Sequence, residues 1–122
     1  MAHYILNSAA SRDRTAELLL AGRWEVAAEE PHRDALAAGD LALVYVAAPA
    51  RVFVGRAELA GTVPGGVALG AVEVWDAPVR MDVVLLRLDP SAKAKADFDL
   101  GVVRITEHEY DTVLAVAAEQ QP

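Results

Sequence analysis

The sequence predicts an α+β fold, a mixed, barrel-like sheet of about five to six strands with flanking helices. Two observations lead to this class. Short segments rich in Val, Leu and Ala follow one another through the middle of the chain, and turn residues separate them. Helical patterns occupy the two ends of the chain and do not alternate with the strands, which argues against a βαβ fold.

The first third of the chain contains four predicted elements: a strand at residues 3–8, a helix at residues 14–21, an extended piece at residues 24–26 and a helical turn between Pro31 and Gly39. Ser8 or Ser11 can cap the helix, because a serine hydroxyl accepts a hydrogen bond from an amide of the first turn. Gly22 stands where a left-handed residue commonly ends a helix.

The remaining predicted elements are strands at residues 41–48, 52–59, 68–75, 81–88 and 102–105, a polar connector or helical turn at residues 93–95, and a final helix. Pro49-Ala50 joins the first two strands into a hairpin. Residues 76–78 separate the third strand from the fourth, which is a nearly continuous apolar run and is expected to be buried on both faces. Thr106 and Glu109 form a capping box at the start of the final helix.

Length and composition indicate a single domain over residues 1–122, large enough to bury its own core. The chain has no cysteine, which excludes disulfides, thiolate metal sites and a cysteine nucleophile. The N-terminus lacks the basic region of a signal peptide. The longest apolar stretch, residues 41–50, is shorter than the roughly 20 residues of a membrane span. We therefore expect a cytoplasmic protein with no membrane contact.

The net charge of −7 argues against tight, non-specific binding to nucleic acid, because Lys and Arg supply most of that affinity. The charges are unevenly distributed. Residues 1–56 contain six basic and seven acidic residues, whereas residues 57–122 contain five basic and eleven acidic ones. An anion-facing surface is therefore expected in the first half, with binding that depends more on a base than on phosphates.

The motifs of common enzymes are missing from the sequence. No phosphate-binding loop or Gly-x-Ser-x-Gly elbow is present. The three histidines, His3, His32 and His108, have no helical partner at metal-ligand spacing, so we predict no metal and no cofactor. Paired carboxylates such as Glu107 and Glu109 fit a helix N-terminus better than acid–base chemistry. The sequence therefore predicts a protein that is not an enzyme.

Two of the seven aromatic residues are candidates for ligand contact. Trp24 follows Arg23 in a segment without periodicity, and Tyr45 places a hydroxyl in an otherwise aliphatic strand. Such side chains stack well on flat bases. The alternative, that both only fill one end of a barrel, is equally consistent with the pattern. Phe53 and Tyr110 lie within strong strand and helix patterns and are predicted to be core residues.

Several short sequence motifs, in order along the chain, resemble those of the EVE domains. These domains are a branch of the PUA-like proteins and are related to the YTH readers of methylated adenine. The motifs are Tyr4 with Asn7-Ser8, Gly22-Arg23-Trp24, Gly39-Asp40 before Val44-Tyr45, the stretch Val54-Gly55-Arg56-Ala57-Glu58, and Ile105-Thr106 with Tyr110. The resemblance implies a barrel-like mixed sheet and a pocket that holds a flipped modified base. Carried over by position, the pocket-lining residues are Asn7, Ser8, Trp24 and Tyr45.

Two functions follow as hypotheses. In the first, the protein reads a modified base in DNA or RNA: Trp24 and Tyr45 stack, Asn7 or Ser8 bonds the base edge, and Arg12 or Arg23 meets a phosphate. Truncation of Trp24 to alanine is then expected to abolish binding with little change in stability. In the second, the same pocket senses a free nucleotide or another planar small molecule, which the acidic charge favours. A carboxylate-based hydrolase ranks far behind both.

Overall fold

The computed structural model describes residues 1–88 and 101–121. Its elements are, in order, β1 (His3–Ser8), α1 (Arg12–Leu20), β2 (Arg23–Glu25), a 3-10 turn (Arg33–Ala35), β3 (Leu41–Val46), β4 (Val52–Val63), β5 (Gly66–Arg80), α2 (Met81–Arg87), β6 (Val102–Ile105) and α3 (Glu107–Gln120). The predicted connector at residues 93–95 lies outside the described residues.

The six strands form one curled, mixed half-barrel sheet with the order β2-β5-β4-β3-β1-β6. β1 runs parallel to β3, and the other neighbouring strands are antiparallel. The hairpin predicted around Pro49-Ala50 is present as the β3–β4 pair. The predicted α+β class, with its mixed barrel-like sheet and flanking helices, is confirmed.

The sheet buries apolar side chains on both faces, because successive residues of a strand point to opposite sides. Tyr4 and Leu6 of β1 belong to the α1-side cluster, which also contains Leu19 of α1 and Trp24 of β2. Ile5, between them, belongs to the α3-side cluster, which α2 and α3 cover. The two clusters give every central strand two buried faces.

The segment predicted as a strand at residues 81–88 is instead the helix α2. Its buried residues Met81 and Val84, with Leu88 directly after the helix, pack into the α3-side cluster. A short apolar run does not distinguish a strand from a buried helix by its pattern alone. Contact with α3 is what makes the helical arrangement the favourable one in this fold.

The break predicted at residues 76–78 is a bulge inside one long strand, β5. The β4–β5 register shifts there, because Phe53 pairs with Val79 whereas Gly55 pairs with Val74. The Gln121 side chain accepts a hydrogen bond from the Ala77 amide at 3.1 Å and donates one to its carbonyl at 2.9 Å. These bonds replace the ladder partners that the bulged residue cannot reach.

Local capping signals have the predicted roles. Ser11, rather than Ser8, caps α1 by accepting a hydrogen bond from the Arg14 amide at 3.2 Å. Gly22 follows this helix with a φ of 77°, in the left-handed region that favours glycine. The Thr106 and Glu109 capping box is complete, with both reciprocal bonds present.

The Gly39-Asp40 step serves as a structural clamp. Asp40 is buried, and its two carboxylate oxygens accept hydrogen bonds from the amides of Ala2, at 3.0 Å, and Ala37, at 3.1 Å. The Asp40 side chain therefore ties the N-terminus to the loop before β3. The Gly39-Asp40 motif, which is part of the resemblance to EVE domains, therefore stabilises the fold in this chain.

Candidate ligand-binding site

The end of β1, α1 and β2 border an open cleft of about 510 Å³, which we call the N-terminal cavity. A volume of this size falls within the range of about 300–1,000 Å³ that is typical of small-molecule sites. Four further cavities measure about 260, 230, 420 and 400 Å³. The N-terminal cavity is lined by Asn7, Ser8, Ala9, Ala10, Arg14, Leu18, Ala21, Arg23, Trp24 and Glu25.

The structure thus brings together four residues that the sequence analysis singled out, namely Asn7, Ser8, Arg23 and Trp24. They come from β1 and β2, which are not neighbours in the sheet, so only the curvature of the sheet and the position of α1 unite them. Arg12 and Tyr45, the other two predicted site residues, do not line the cavity.

Ser8 is held against α1 by a buried network of hydroxyl groups. The Ser8 and Thr15 hydroxyl oxygens are 2.8 Å apart, and the Thr15 hydroxyl donates to the Ser11 carbonyl, also at 2.8 Å. The Ser8 hydroxyl in addition accepts a hydrogen bond from the Ala10 amide at 3.2 Å. Two walls of the cavity, β1 and α1, are therefore joined at Ser8.

Asn7 is anchored to the start of β6. Its backbone amide and its side-chain amide both donate to the Gly101 carbonyl, at 2.9 and 3.0 Å. Gly101 has a φ of 35°, and a Cβ there would stand 2.1 Å from the Glu30 carboxylate. The absence of a side chain at Gly101 therefore allows β6 to begin beside Asn7 and Glu30.

Trp24 forms part of the cavity wall while most of its indole lies in the α1-side cluster. Its exposed fraction is 7%. β2 holds Trp24 by pairing with β5, where Trp24 lies opposite Val67. This burial contradicts the expectation that Trp24→Ala leaves stability unchanged, because removal of a buried tryptophan typically costs about 3–5 kcal/mol.

The cationic side chains near the cavity differ in how they are held. Arg23 donates to the Pro64 carbonyl across the β4–β5 turn, and Arg14 forms an exposed ion pair with Glu17 at 3.0 Å. Arg12 donates to the Asp76 carbonyl at 2.9 Å and is not part of the lining. The arginines that line the cavity are therefore Arg14 and Arg23.

Tyr45 lies on the other side of the sheet, so the predicted grouping of Tyr45 with Trp24 is wrong. Its ring is fully buried in the α3-side cluster, and its centroid is 5.0 Å from that of Phe53. Tyr45 pairs with Asn7 along the β1–β3 ladder, and its side chain projects on the same face of the sheet as Leu43 and Ile5. Strand alternation therefore separates it from the Trp24 side.

Phe53 and Tyr110 are core residues, as predicted, with exposed fractions of 1% and 3%. Arg14, Leu18 and Ala21 also line the cavity, although they were not predicted as site residues. Their spacing of four and three residues places them on one face of α1. That spacing was the available signal, but it does not reveal which element the face approaches.

The histidines show no grouping that would hold a metal. His3 packs against the Tyr110 ring, with 4.9 Å between centroids, and His32 lies 6.2 Å from the Tyr4 ring. Within residues 1–88 and 101–121, no three His, Asp or Glu side chains are close enough to coordinate an ion. Over the same ranges, no helix has the length and apolarity needed to cross a membrane.

Comparison with known proteins identifies the fold. No protein-family model matches the chain, and no curated protein matches it either. Among solved structures, a hypothetical protein from Leishmania major superposes with a TM-score of 0.74 at 18% identity, over 100% of this chain and 98% of that one. A protein from Rhodopseudomonas palustris gives 0.69 at 21% identity, over 100% and 97%.

An ASCH protein from Zymomonas mobilis is also similar, with a TM-score of 0.66 at 11% identity, over 93% of this chain and 94% of that one. ASCH proteins have the PUA-like fold, so the chain has a PUA-like α+β fold. Similarity at these identities establishes the fold, and function has to be argued from the site.

Proposed function

We propose that the protein is a non-catalytic, EVE-like binding module that holds a modified nucleobase in the N-terminal cavity. The observation that supports this most directly is the convergence of Asn7, Ser8 and Trp24 with two arginines around one opening of suitable volume. A flipped base needs an aromatic or apolar wall, polar groups for its edge and cations for the adjacent phosphates. The cavity offers all three.

The chemical groups are divided among the three walls. β1 contributes Ser8 and the neighbouring Asn7, whose side-chain amide is held by the Gly101 carbonyl. α1 contributes Leu18 and Arg14, and β2 contributes Trp24. Because Trp24 is mostly buried, a bound base would contact the exposed part of its indole rather than a full aromatic face. We therefore expect the edge contacts to β1 to carry more of the selectivity than stacking does.

The fluorescence of Trp24 can report ligand binding and so test the proposal. The chain has two tryptophans, and Trp75 belongs to the α3-side cluster, where its indole N–H donates to Glu73 at 2.7 Å. In the variant Trp75→Phe, all tryptophan fluorescence comes from Trp24. Titration with short oligonucleotides that carry one modified base should change this fluorescence saturably, and the unmodified strands should change it much less.

The converse variant, Trp24→Phe, is the matched control, because its remaining tryptophan lies in the other cluster and its emission should not respond. Circular dichroism checks that both variants are folded. Failure of every oligonucleotide in the panel to bind, even at high micromolar protein, would contradict the proposed function.

A second candidate is a sensor of a free nucleotide or another planar small molecule in the same cavity. The observation that favours it is the negative charge, −7 for the chain, together with the lining carboxylate of Glu25 and the carboxylate of Glu17, which pairs with the lining Arg14. These groups oppose a polyanion more than a small ligand. Thermal stabilisation by free nucleosides or nucleotides, with none by oligonucleotides, would decide for the sensor.

A further inference from the structure

The direction of the hydrogen bond between Ser8 and Thr15 follows from their neighbours. A backbone carbonyl can only accept, so the Thr15 hydroxyl must donate its single proton to the Ser11 carbonyl. Thr15 therefore has no proton left for Ser8. The 2.8 Å contact between the two hydroxyl oxygens is then a hydrogen bond in which Ser8 donates and Thr15 accepts.

Ser8 has consequently used its donor before any ligand arrives. Its oxygen also accepts from the Ala10 amide, so within the hydrogen bonds of residues 1–88 and 101–121 one lone pair is left over. Thr15 is fully buried, and Ser8 has an exposed fraction of 6%. Rotation of the Ser8 hydroxyl toward the cavity would leave a buried Thr15 oxygen without its donor, which is costly.

We infer that Ser8 meets a ligand only as a hydrogen-bond acceptor, and that the N-terminal cavity therefore selects bases that present an N–H donor to β1. The inference rests on the proposed function and makes it more specific. Thr15 is a positioning residue. It does not line the cavity, but its hydroxyl oxygen accepts the Ser8 proton and so keeps that proton directed away from the cavity.

The proton order can be measured without any ligand. Buried hydroxyl protons exchange slowly enough for detection by NMR, and their couplings across hydrogen bonds identify donor and acceptor. We expect a Ser8 hydroxyl proton directed at the Thr15 oxygen and a Thr15 hydroxyl proton directed at the Ser11 carbonyl. A Thr15 proton directed at Ser8 would overturn the inference.

The selectivity is tested with two isosteric pairs of modified bases in short single-stranded oligonucleotides. One pair is N6-methyladenine and 6-methoxypurine, and the other is N4-methylcytosine and O4-methyluracil. In each pair an N–H donor is replaced by an ether oxygen of nearly the same size. The wild-type protein should bind the better N–H probe about tenfold more tightly than its ether partner, since the ether oxygen would face the Ser8 lone pair.

Substitution of Thr15 separates the positioning role from a merely structural one. Thr15→Val removes the acceptor, frees the Ser8 proton to turn toward the cavity, and should bring the two members of the pair to within about threefold of each other. Thr15→Ser keeps the hydroxyl and should restore the preference of the wild type. A destabilised fold alone would weaken both probes equally and would leave their ratio unchanged.

The outcomes distinguish the inference from the proposed function. Equal binding of both members of a pair by the wild-type protein overturns the inference and leaves base binding intact. An unchanged ratio in Thr15→Val also overturns it. Binding of none of the four probes counts against the proposed function itself and against the selectivity that rests on it.

Discussion

Gly66 lies directly against the backbone of Trp24. A Cβ at Gly66 would stand 2.0 Å from the Trp24 carbonyl oxygen and 3.1 Å from the Glu25 Cα, so no other residue fits there without a backbone shift. This contact occurs in the β2–β5 pair, which places Trp24 in the wall of the N-terminal cavity. The position of the tryptophan thus depends on a missing side chain on the neighbouring strand.

Gly66→Ala should destabilise the protein, because β2 must move away from β5 to admit the methyl group. We expect a loss of about 1–3 kcal/mol in the free energy of unfolding, measured by urea denaturation. Trp24 fluorescence in the Trp75→Phe background should shift to the red as the indole becomes more exposed.

Gly70→Ala is the matched control on the same strand. The nearest atom to a Cβ at Gly70 is the Ala60 Cβ at 3.7 Å, an ordinary contact. Its effect on stability should stay within about 0.5 kcal/mol. Equal losses for the two variants would show that the close approach at Gly66 is not the cause.

Tyr45→Phe should leave ligand binding unchanged, because Tyr45 belongs to the α3-side cluster. We expect an affinity for a modified oligonucleotide within about twofold of the wild type. Trp24→Phe, in contrast, should weaken binding about three- to tenfold. Fluorescence anisotropy of labelled oligonucleotides measures both, and loss of binding in a folded Tyr45→Phe protein would contradict our placement of the site.

Arg23→Gln should reduce the salt dependence of oligonucleotide binding. Each phosphate contact to a single strand contributes about 0.7 to the slope of log K against log salt concentration. Arg23 lines the cavity, so its removal should lower the slope by about that amount. The slope is obtained from binding titrations at several salt concentrations.

Two other arginines provide comparisons for this experiment. Arg12 is outside the cavity and donates to the Asp76 carbonyl, and Arg87 pairs with Glu119 on the α3 side. Arg12→Gln and Arg87→Gln should therefore leave the slope unchanged. If Arg12→Gln reduced the slope of log K against log salt concentration, Arg12 rather than Arg23 would be the residue that contacts a phosphate.

The stability of the protein should fall at alkaline pH through Tyr4. Burial raises the pKa of the Tyr4 hydroxyl above its ordinary value of 10.0, and the negative charge of Asp40 adds to the rise while Arg104 opposes it. The folded state therefore favours the neutral phenol. Its contribution to stability is complete below about pH 10 and is lost as the pH rises through the raised pKa.

The variant Tyr4→Phe isolates this contribution, since it has no proton to lose at that position. Between about pH 9 and pH 11, the free energy of unfolding should decrease more steeply for the wild type than for Tyr4→Phe. Parallel curves for the two proteins would mean that burial does not disfavour the Tyr4 phenolate.

Signals that act over a few residues were predictable from the sequence. The Thr106–Glu109 capping box and the Gly22 stop at the end of α1 were identified correctly, because each depends on hydrogen bonds and dihedral angles within one turn of helix. For α1, the sequence predicted two alternative N-cap residues, Ser8 and Ser11. The structure assigns the cap to Ser11 and gives Ser8 its bond to Thr15 instead.

Where the outcome depended on distant partners, local patterns were insufficient. The run at residues 81–88 is apolar enough for either a strand or a helix, and its packing against α3 decides for the helix. Tyr45 is an aromatic residue with a hydroxyl group, which is typical of a ligand pocket. Which face of the sheet its side chain lies on, however, depends on the β1–β3 register. A shift of one residue in that register would have reversed the result.

The sequence by itself determined the α+β class, the strand-rich centre, the bounds of β1 and β6 and the segments that supply Asn7, Ser8, Arg23 and Trp24, since these follow from periodicity, capping and turn chemistry. Only the tertiary structure decided which of them share the N-terminal cavity, that Tyr45 does not, and that Thr15 directs the Ser8 proton. Those results depend on strand register, sheet curvature and hydrogen-bond direction, which arise between residues far apart in the chain or on separate elements.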